Sequence, residues 1–169
     1  MKYLWAPWRM EYIKKANQKG CFLCKALKEK KDKKNLIITR TKKAFVIMNR
    51  YPYNSGHLMV APVRHIGNME GLTKDEIIEM FGLLTRTKQL LTKILNPEGF
   101  NIGINLGRIA GAGLVSHVHI HLVPRWAGDT NFMPVLGKTK VISQSLDKLY
   151  QQLIVGHAEG RSAFGEAIS

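Results

Sequence analysis

The apolar positions along the chain predict strands first, then one long helix, then strands again. Three short apolar runs rich in branched residues have the length of strands: Leu36–Thr39, Ala44–Met48 and His57–Ala61. Two further runs, Phe100–Leu106 and His117–Val123, supply the last strands. Because the strands flank a single long helix and do not alternate with helices, the order predicts an α+β domain with an antiparallel sheet.

Helical periodicity is clearest in the middle of the chain. Thr73 and Glu76 form a capping-box pattern that opens the long helix, and Asn96–Gly99 ends it. A shorter helix is predicted between Cys21 and Lys34, and a closing helix between Ser143 and Val155. The apolar stripe of the long helix, expected to face the core, comprises Ile77, Met80, Phe81, Leu84, Leu91, Ile94 and Leu95.

Length and composition favour one globular domain. The chain has 169 residues, of which 45% are hydrophobic, and we assign the domain to residues 1–155. Residues 1–34 form a basic arm, and residues 156–169, which lack an apolar pattern, are expected to be a flexible tail. No apolar run approaches the roughly 20 residues of a membrane span, and no signal-peptide pattern opens the chain. We therefore expect a cytoplasmic protein with no membrane partner.

The net charge of +14 is concentrated near the start of the chain. Residues 1–43 carry 14 Lys or Arg residues against 3 acidic ones. Such an excess favours anionic partners, although a solvated lysine-rich surface explains it equally well. Aromatic residues are not interleaved with the basic ones as in a groove for single-stranded nucleic acid, so nucleotides are favoured over nucleic acid as partners.

Three histidines alternate with apolar residues in the last predicted strand. His117, His119 and His121 are expected to lie on one face, and the strand is expected to end near Val123 because Pro124 cannot donate a ladder hydrogen bond. Aligned imidazoles serve either as zinc ligands or as a covalent nucleophile with its supporting groups. The residues expected in the core are Val118, Ile120 and Leu122.

The glycine-rich segment before this strand favours phosphorus chemistry on a histidine. Gly103–Gly107 leads into Gly111–Gly113, and glycines allow backbone N–H groups to approach an anion such as phosphate. A glycine loop that leads directly into three imidazoles is stronger evidence than either feature alone. His57, after Gly56, is interpreted as a packed structural histidine.

The segment His117–Val123 matches the signature of the histidine triad (HIT) family, three histidines alternating with hydrophobic residues. The resemblance extends to Asn49–Arg50 and Gly56–Pro62, which look like the central hairpin of the family, and covers roughly residues 1–126. Asn49 followed by Arg50 is similar to the fragile-histidine-triad branch. Trp5–Arg9 and Val123–Trp126 resemble the diadenosine tetraphosphate phosphorylases.

This resemblance implies a five-stranded sheet with one long and one C-terminal helix, a homodimer, and an enzyme that acts on nucleotides. It makes His119 the nucleophile that forms a nucleotidyl-histidine, with His121 at the phosphate or leaving group and His117 orienting the strand. It implies that Asn49 holds the ribose and Asn105 the α-phosphate. The remaining implied substrate contacts are backbone donors at Gly107, Gly111 and Gly113, and Trp126, as a base-stacking residue or equally as an aromatic at the dimer rim.

The two cysteines, Cys21 and Cys24, have the spacing of half a zinc site or of a redox pair. The resemblance supplies the other half, because some family members combine this motif with a histidine after the central hairpin. It implies one structural zinc bound by Cys21, Cys24, His65 and His117, and no organic cofactor.

One departure from the family pattern bears on the reaction. Gly113 and Leu114 stand where most family hydrolases have polar side chains. We therefore predict phosphorolysis of diadenosine tetraphosphate to ADP and ATP, with Arg108 and Arg125 supplying charge for the phosphate acceptor. The alternatives are a dinucleoside polyphosphate hydrolase, an adenosine 5'-phosphoramidase, or a non-enzymatic module with structural zinc that binds nucleotides or nucleic acid.

Overall fold

The computed structural model describes residues 20–129 and 144–164, with side chains described to residue 160. The N-terminal arm is therefore described only from residue 20, and residues 165–169 of the predicted tail lie outside the described part. The helices are α1 (Phe22–Glu29), α2 (Asp32–Asn35), α3 (Lys74–Leu95) and α4 (Leu146–Phe164). The strands are β1 (Ile37–Arg40), β2 (Ala44–Met48), β3 (Leu58–Pro62), β4 (Gly99–Ile104) and β5 (Ile120–Arg125).

The five described strands form one antiparallel sheet in the order β1-β2-β3-β5-β4, which confirms the predicted α+β class. The last strand in sequence lies inside the sheet, and β4 lies at its edge. Among the described helices, none is long and apolar enough to cross a membrane.

One face of the sheet forms the main hydrophobic core with α3 and α4. Burying these apolar side chains supplies most of the favourable free energy of folding. The strand residues on this face alternate with those on the other, as the pleat requires. Its buried strand residues include Ala44, Val46, Met48, Leu58, Val60, Ile120 and Leu122, and its buried helix residues include Met80, Leu84, Leu91 and Leu153.

The other face of the sheet carries a smaller apolar cluster under α1. Leu23 and Ala26 of α1 pack there on strand residues that alternate with those of the main core. The buried strand residues of this cluster are Ile37, Phe45, Ile47, Met59 and Ala61. Helix α1 therefore covers only part of this face and leaves the β5 side of it for other groups.

The long helix begins as predicted, but its buried stripe is rotated. The Thr73 hydroxyl accepts a hydrogen bond from the Glu76 amide, and the Glu76 carboxylate accepts one from the Thr73 amide, so the capping box is confirmed. Ile77 and Phe81, predicted to face the core, are 41% and 54% exposed. Both residues lie at the margin of the helix face that packs on the sheet. Leu83, which was not in the predicted stripe, is buried.

Two predicted boundaries of the triad strand are wrong. The ladder begins at Ile120, so His117 and His119 precede it, and it runs through Pro124 to Arg125. Proline is tolerated because β3 pairs with β5 only as far as Leu122. On that side the Pro124 carbonyl instead accepts a hydrogen bond from the Asn54 side chain.

The predicted helices at both ends also differ in extent. The single helix expected from Cys21 to Lys34 is divided into α1 and α2, because Lys30 adopts a left-handed conformation with φ of 50°. The closing helix does not end at Val155, since α4 continues to Phe164.

Candidate active site and metal centre

His119 and His121 lie on the face of the sheet opposite the long helix, beside the cluster under α1. Both are buried, and their ring centroids are 4.8 Å apart. Gly103 of β4 pairs with His121, and a side chain at Gly103 would meet nothing within 4 Å. The strand next to the imidazole therefore leaves open space where a substrate can approach.

The hydrogen bond of His119 determines which ring nitrogen can react. Its Nδ1 lies 2.9 Å from the carbonyl oxygen of His117. A carbonyl only accepts, so Nδ1 carries the proton and Nε2 keeps its lone pair. Burial lowers the pKa of His119 and favours the neutral ring. The arrangement presents Nε2 as a nucleophile.

A second hydrogen-bonded pair fixes the tautomer of His121. The Tyr53 amide donates to Nδ1 of His57 over 3.0 Å, so the proton of a neutral His57 is on Nε2. That Nε2 lies 2.8 Å from Nδ1 of His121, which therefore accepts and leaves the proton of His121 on its own Nε2. His121 can thus donate a hydrogen bond to a substrate.

Both rings of this pair are neutral at physiological pH. Burial, followed by the neighbouring histidines, lowers the pKa of His57 to about 3. Burial and then His119 lower the pKa of His121 to about 4. The sequence interpretation of His57 as a packed residue is correct about its burial and misses its hydrogen bond to His121. The only sequence signal was a histidine directly before a strand, because the pairing of β3 with β5 joins distant segments.

The C-x-x-C motif meets two histidines, His65 just after β3 and His117 just before β5. The ligand atoms of Cys21, Cys24, His65 and His117 all lie within 4.8 Å of one another. Nδ1 of His117 is 3.2 Å from Sγ of Cys21 and 3.5 Å from Sγ of Cys24. Nδ1 of His65 is 3.3 Å from Sγ of Cys24. In a tetrahedral zinc site with ordinary bond lengths the S–N separations are roughly 3.5 Å, so the four donors fit that metal.

The tautomer of His117 also suits a metal ligand. Its Nε2 lies 2.9 Å from the Pro62 carbonyl oxygen and therefore carries the proton, which leaves the Nδ1 lone pair directed at the cysteines. Burial and then Cys21 raise the pKa of the Cys24 thiol to about 11. A nearby divalent cation would reverse this preference and deprotonate the thiol.

The predicted substrate residues are brought only partly to the histidines. Asn49 contacts the ring of His57 through Nδ2, at 3.3 Å from Nδ1. Asn105 lies at the start of the glycine loop, with its Nδ2 3.5 Å from the Gly111 carbonyl oxygen. Gly107 and Gly111 have φ of +82° and +89°, which favours glycine. The Gly111 amide donates to Arg108 within the loop, and Gly113 is exposed further along it.

Two residues at the end of the triad strand make contacts that the sequence did not predict. Trp126 donates its indole N–H to the Asn96 carbonyl at the end of α3, on the sheet face opposite His121. Arg125, which the sequence suggested as a phosphate-binding charge, forms a bidentate ion pair with Asp129 that compensates its charge. Arg108 is exposed on the glycine loop.

Comparisons with known proteins agree with this geometry. A family model described as the HIT domain matches residues 30–128. The AP-4-A phosphorylase of Mycobacterium tuberculosis is 38% identical over 154 residues, covering 86% of this chain and 79% of that protein. The asymmetrical bis(5'-nucleosyl)-tetraphosphatase of Schizosaccharomyces pombe is 33% identical over 93 residues, covering 55% of this chain and 50% of that protein.

The solved structures add support for the fold. A Zn-bound histidine triad family protein from Mycobacterium smegmatis superposes with a TM-score of 0.69 at 23% identity, covering 85% of this chain and 97% of that one. The triad sequence, the five-stranded sheet and the match to the family model all indicate the same family. The chain therefore belongs to the HIT domain family, and it is an enzyme of the nucleotide hydrolase and transferase type.

Proposed function

We propose that the protein is a diadenosine tetraphosphate phosphorylase that works through a nucleotide bound covalently to His119. The observation that carries the proposal is the complementary pair of tautomers. His119 presents a lone pair on Nε2, and His121 presents a proton on Nε2, beside the open strand at Gly103. A nucleophile and a hydrogen-bond donor side by side suit displacement at phosphorus.

In the first step Nε2 of His119 attacks the α-phosphorus of one adenylate. The bond from that phosphorus to the bridging oxygen breaks, ATP leaves as an anion, and His121 donates a hydrogen bond to the departing oxygen. The proton of the adenylated His119 stays on Nδ1 and is donated to the His117 carbonyl, which stabilises the positive ring. In the second step an oxygen of inorganic phosphate attacks the same phosphorus. The bond from that phosphorus to Nε2 breaks, its electron pair returns to the ring, and ADP leaves a neutral His119.

Two observations support phosphate over water as the acceptor. The relative from Mycobacterium tuberculosis carries the name of a phosphorylase and aligns over most of this chain. Leu114, which stands where most family hydrolases have a polar side chain, packs on the apolar cluster under α1 and offers nothing to orient a water molecule. With Arg125 occupied by Asp129, the exposed Arg108 is the proposed cation for the acceptor.

The zinc that the donor set fits is proposed to be structural. Cys21, Cys24, His65 and His117 would hold it as a closed four-ligand site, and the metal would supply a cross-link between α1 and the triad strand. His117 would then take no part in acid–base chemistry, and its carbonyl would stay fixed against His119.

We also propose that the chain forms a homodimer across the exposed edge of the sheet. Strand β4 lies at that edge, and Ile102 on it is 52% exposed. An unpaired edge strand with an exposed apolar residue suits pairing with a second copy. Light scattering coupled to gel filtration would give the mass of two chains if this is correct and of one chain if it is wrong.

Product analysis tests the proposed reaction. The enzyme is incubated with diadenosine tetraphosphate at rising phosphate concentration, and the nucleotides are separated by chromatography. We expect phosphate to accelerate substrate loss and to yield ADP with ATP, and Arg108→Ala to raise the KM for phosphate. Arg50→Ala, a basic residue outside the glycine loop, is the control. If AMP with ATP remains the product at saturating phosphate, the enzyme is a hydrolase.

A further inference from the structure

A buried carboxylate organises the loop beyond the triad strand. The Asp129 side chain is 5% exposed and accepts hydrogen bonds from three different residues. Arg125 donates through Nε at 2.6 Å and Nη2 at 2.9 Å, and the Trp126 amide donates at 3.1 Å. The third partner, Asn54, lies 75 residues earlier in the chain and donates through Nδ2 at 2.8 Å. Because Arg125 compensates its charge, the carboxylate can remain ionised in this position.

Asn54 uses both protons of its amide to attach its loop to the triad strand. Its Nδ2 donates to Asp129 and, at 3.1 Å, to the Pro124 carbonyl. The Asn54 side chain is itself buried, at 7% exposure. An amide nitrogen carries two protons, so these two hydrogen bonds use all the donors of the Asn54 side chain.

The loop that contains Asn54 also contains the backbone amide that determines the tautomers of His57 and His121. The Asn54 carbonyl accepts the His57 amide over 3.2 Å, and the Tyr53 amide, one residue earlier, donates to Nδ1 of His57. The Tyr53 ring lies against His57 at 4.6 Å between centroids and against His121 at 5.8 Å. The position of Asn54 therefore controls both the amide and the ring that contact the pair.

We propose that Asn54 and Asp129 are a positioning pair that holds Tyr53 against His57 and thereby keeps the proton of His121 on Nε2. Neither residue touches the reacting atoms, so both act through Tyr53 and His57. The proposal rests on the proposed function for its effect on catalysis, whereas its effect on the tautomers stands without any substrate. Without this attachment the loop loses its side-chain anchor to β5, and the Tyr53 amide is no longer fixed in line with Nδ1 of His57.

Nitrogen NMR of the imidazoles tests the tautomers directly. Long-range proton–nitrogen spectra of the ¹⁵N-labelled full chain distinguish protonated from unprotonated ring nitrogens. We expect wild-type His57 and His121 to be Nε2–H tautomers, and Asn54→Leu and Asp129→Asn to give mixed tautomers at His121. The matched control is Glu79→Gln, since that carboxylate also holds a loop, accepting the Lys43 amide at 2.8 Å. This loop lies at the end of the β2–β3 pair opposite to His57.

Kinetics provide the second readout. Because a small misplacement of a catalytic group costs up to about 100-fold, we expect the two variants to lose about tenfold in kcat with little change in KM. Glu79→Gln should keep wild-type kcat. If Asn54→Leu fails to fold, Asp129→Asn, which preserves the shape of the side chain, decides the question.

An unchanged His121 tautomer in a folded Asp129→Asn variant would overturn the proposal, as would wild-type kcat in that variant. If the proposed substrate is not turned over but the tautomers still change, the positioning pair stands and the proposed function fails. The two results are thus distinguishable.

Discussion

The two faces of the sheet consist of the same strands but carry different kinds of side chain. On β5, Leu122 packs into the core under α3, whereas His121, its neighbour, points to the opposite face and bonds to His57. The first face has apolar side chains in contact with two helices. The second combines a small apolar cluster with buried imidazoles whose Nδ1 atoms each have a partner.

Because of this difference, one face of the sheet contributes mainly to the stability of the fold and the other to the chemistry of the site. Apolar burial on the helix face stabilises the fold without specifying any proton position. On the histidine face the rings of His57, His119 and His121 are buried, and the partner of each Nδ1 decides which of the two ring nitrogens carries the proton. Substitutions on the two faces should consequently affect different measurements.

The largest effect is expected on the histidine face, in His119→Asn. Removing the nucleophile should lower kcat at least about 1,000-fold, while leaving the free energy of unfolding and nucleotide binding nearly unchanged. Steady-state kinetics, urea titration and equilibrium binding measure the three quantities. Turnover within tenfold of wild type would show that His119 is not the nucleophile.

The complementary change on the helix face is Leu91→Ala. Leu91 is fully buried in the main core, and truncating it should lower the free energy of unfolding by about 2–5 kcal/mol. The kcat of the molecules that remain folded should not change. Urea titration at a temperature where the variant is folded gives the first quantity. A loss of kcat comparable to that of His119→Asn would refute the separation of the two faces.

Metal content tests the proposed zinc site, which lies next to the apolar cluster under α1. Protein purified without chelator should contain about one zinc per chain, and Cys24→Ser should contain much less, because one ligand of the closed site is lost. Elemental analysis measures this. The control is Thr92→Ser, a conservative change at an exposed position of α3, on the other face of the sheet. Absence of zinc from the wild type would show that these four residues do not form a structural zinc site.

The smallest effect is expected in the pH dependence. Burial disfavours the charged rings and lowers the pKa of His57 and of His121 below the ordinary value of 6.5, so both stay neutral as the pH falls through that value. The logarithm of kcat/KM should be nearly flat between pH 8 and 6.5. A half-loss of activity at pH 6.5 would contradict the neutral pair.

The same shifts affect stability with a definite sign. The unfolded chain binds protons at its histidines near pH 6.5, whereas folded His57 does so only near pH 3. Lowering the pH from 6.5 towards 4 should therefore decrease the free energy of unfolding, and His57→Gln should reduce that dependence. Urea titrations at several pH values measure it.

Local patterns predicted much of the fold and the first part of the site. The Thr73 capping box and the bounds of β2 were readable because a cap and an apolar run are determined by adjacent residues. The triad spacing predicted for the same reason that His119 and His121 lie on one face, and the prediction that His119 is the nucleophile came from the family resemblance. The rotation that exposes Phe81 was not readable, because which flank of an apolar stripe meets the sheet depends on the packing of the whole helix.

The supporting contacts were beyond sequence reasoning because they join distant segments. His57 reaches His121 across 64 positions, and Asn54 reaches Asp129 across 75. A lone histidine or asparagine in a turn has many structural uses, and only the strand order shows which partner it meets. The ion pair of Arg125 with Asp129 was missed although the two residues are only four apart, because the strand was predicted to end before Arg125.

The central claim is that a nucleotide is carried covalently on Nε2 of His119. The direct measurement is rapid mixing of enzyme with diadenosine tetraphosphate, quenching in alkali because phosphorus–nitrogen bonds hydrolyse in acid, and mass spectrometry of the peptide that contains the triad. We predict an adenylate on His119 that accumulates without phosphate and decays faster when phosphate is added. An adenylate found on His121, or full turnover with no adduct at any time, would contradict it.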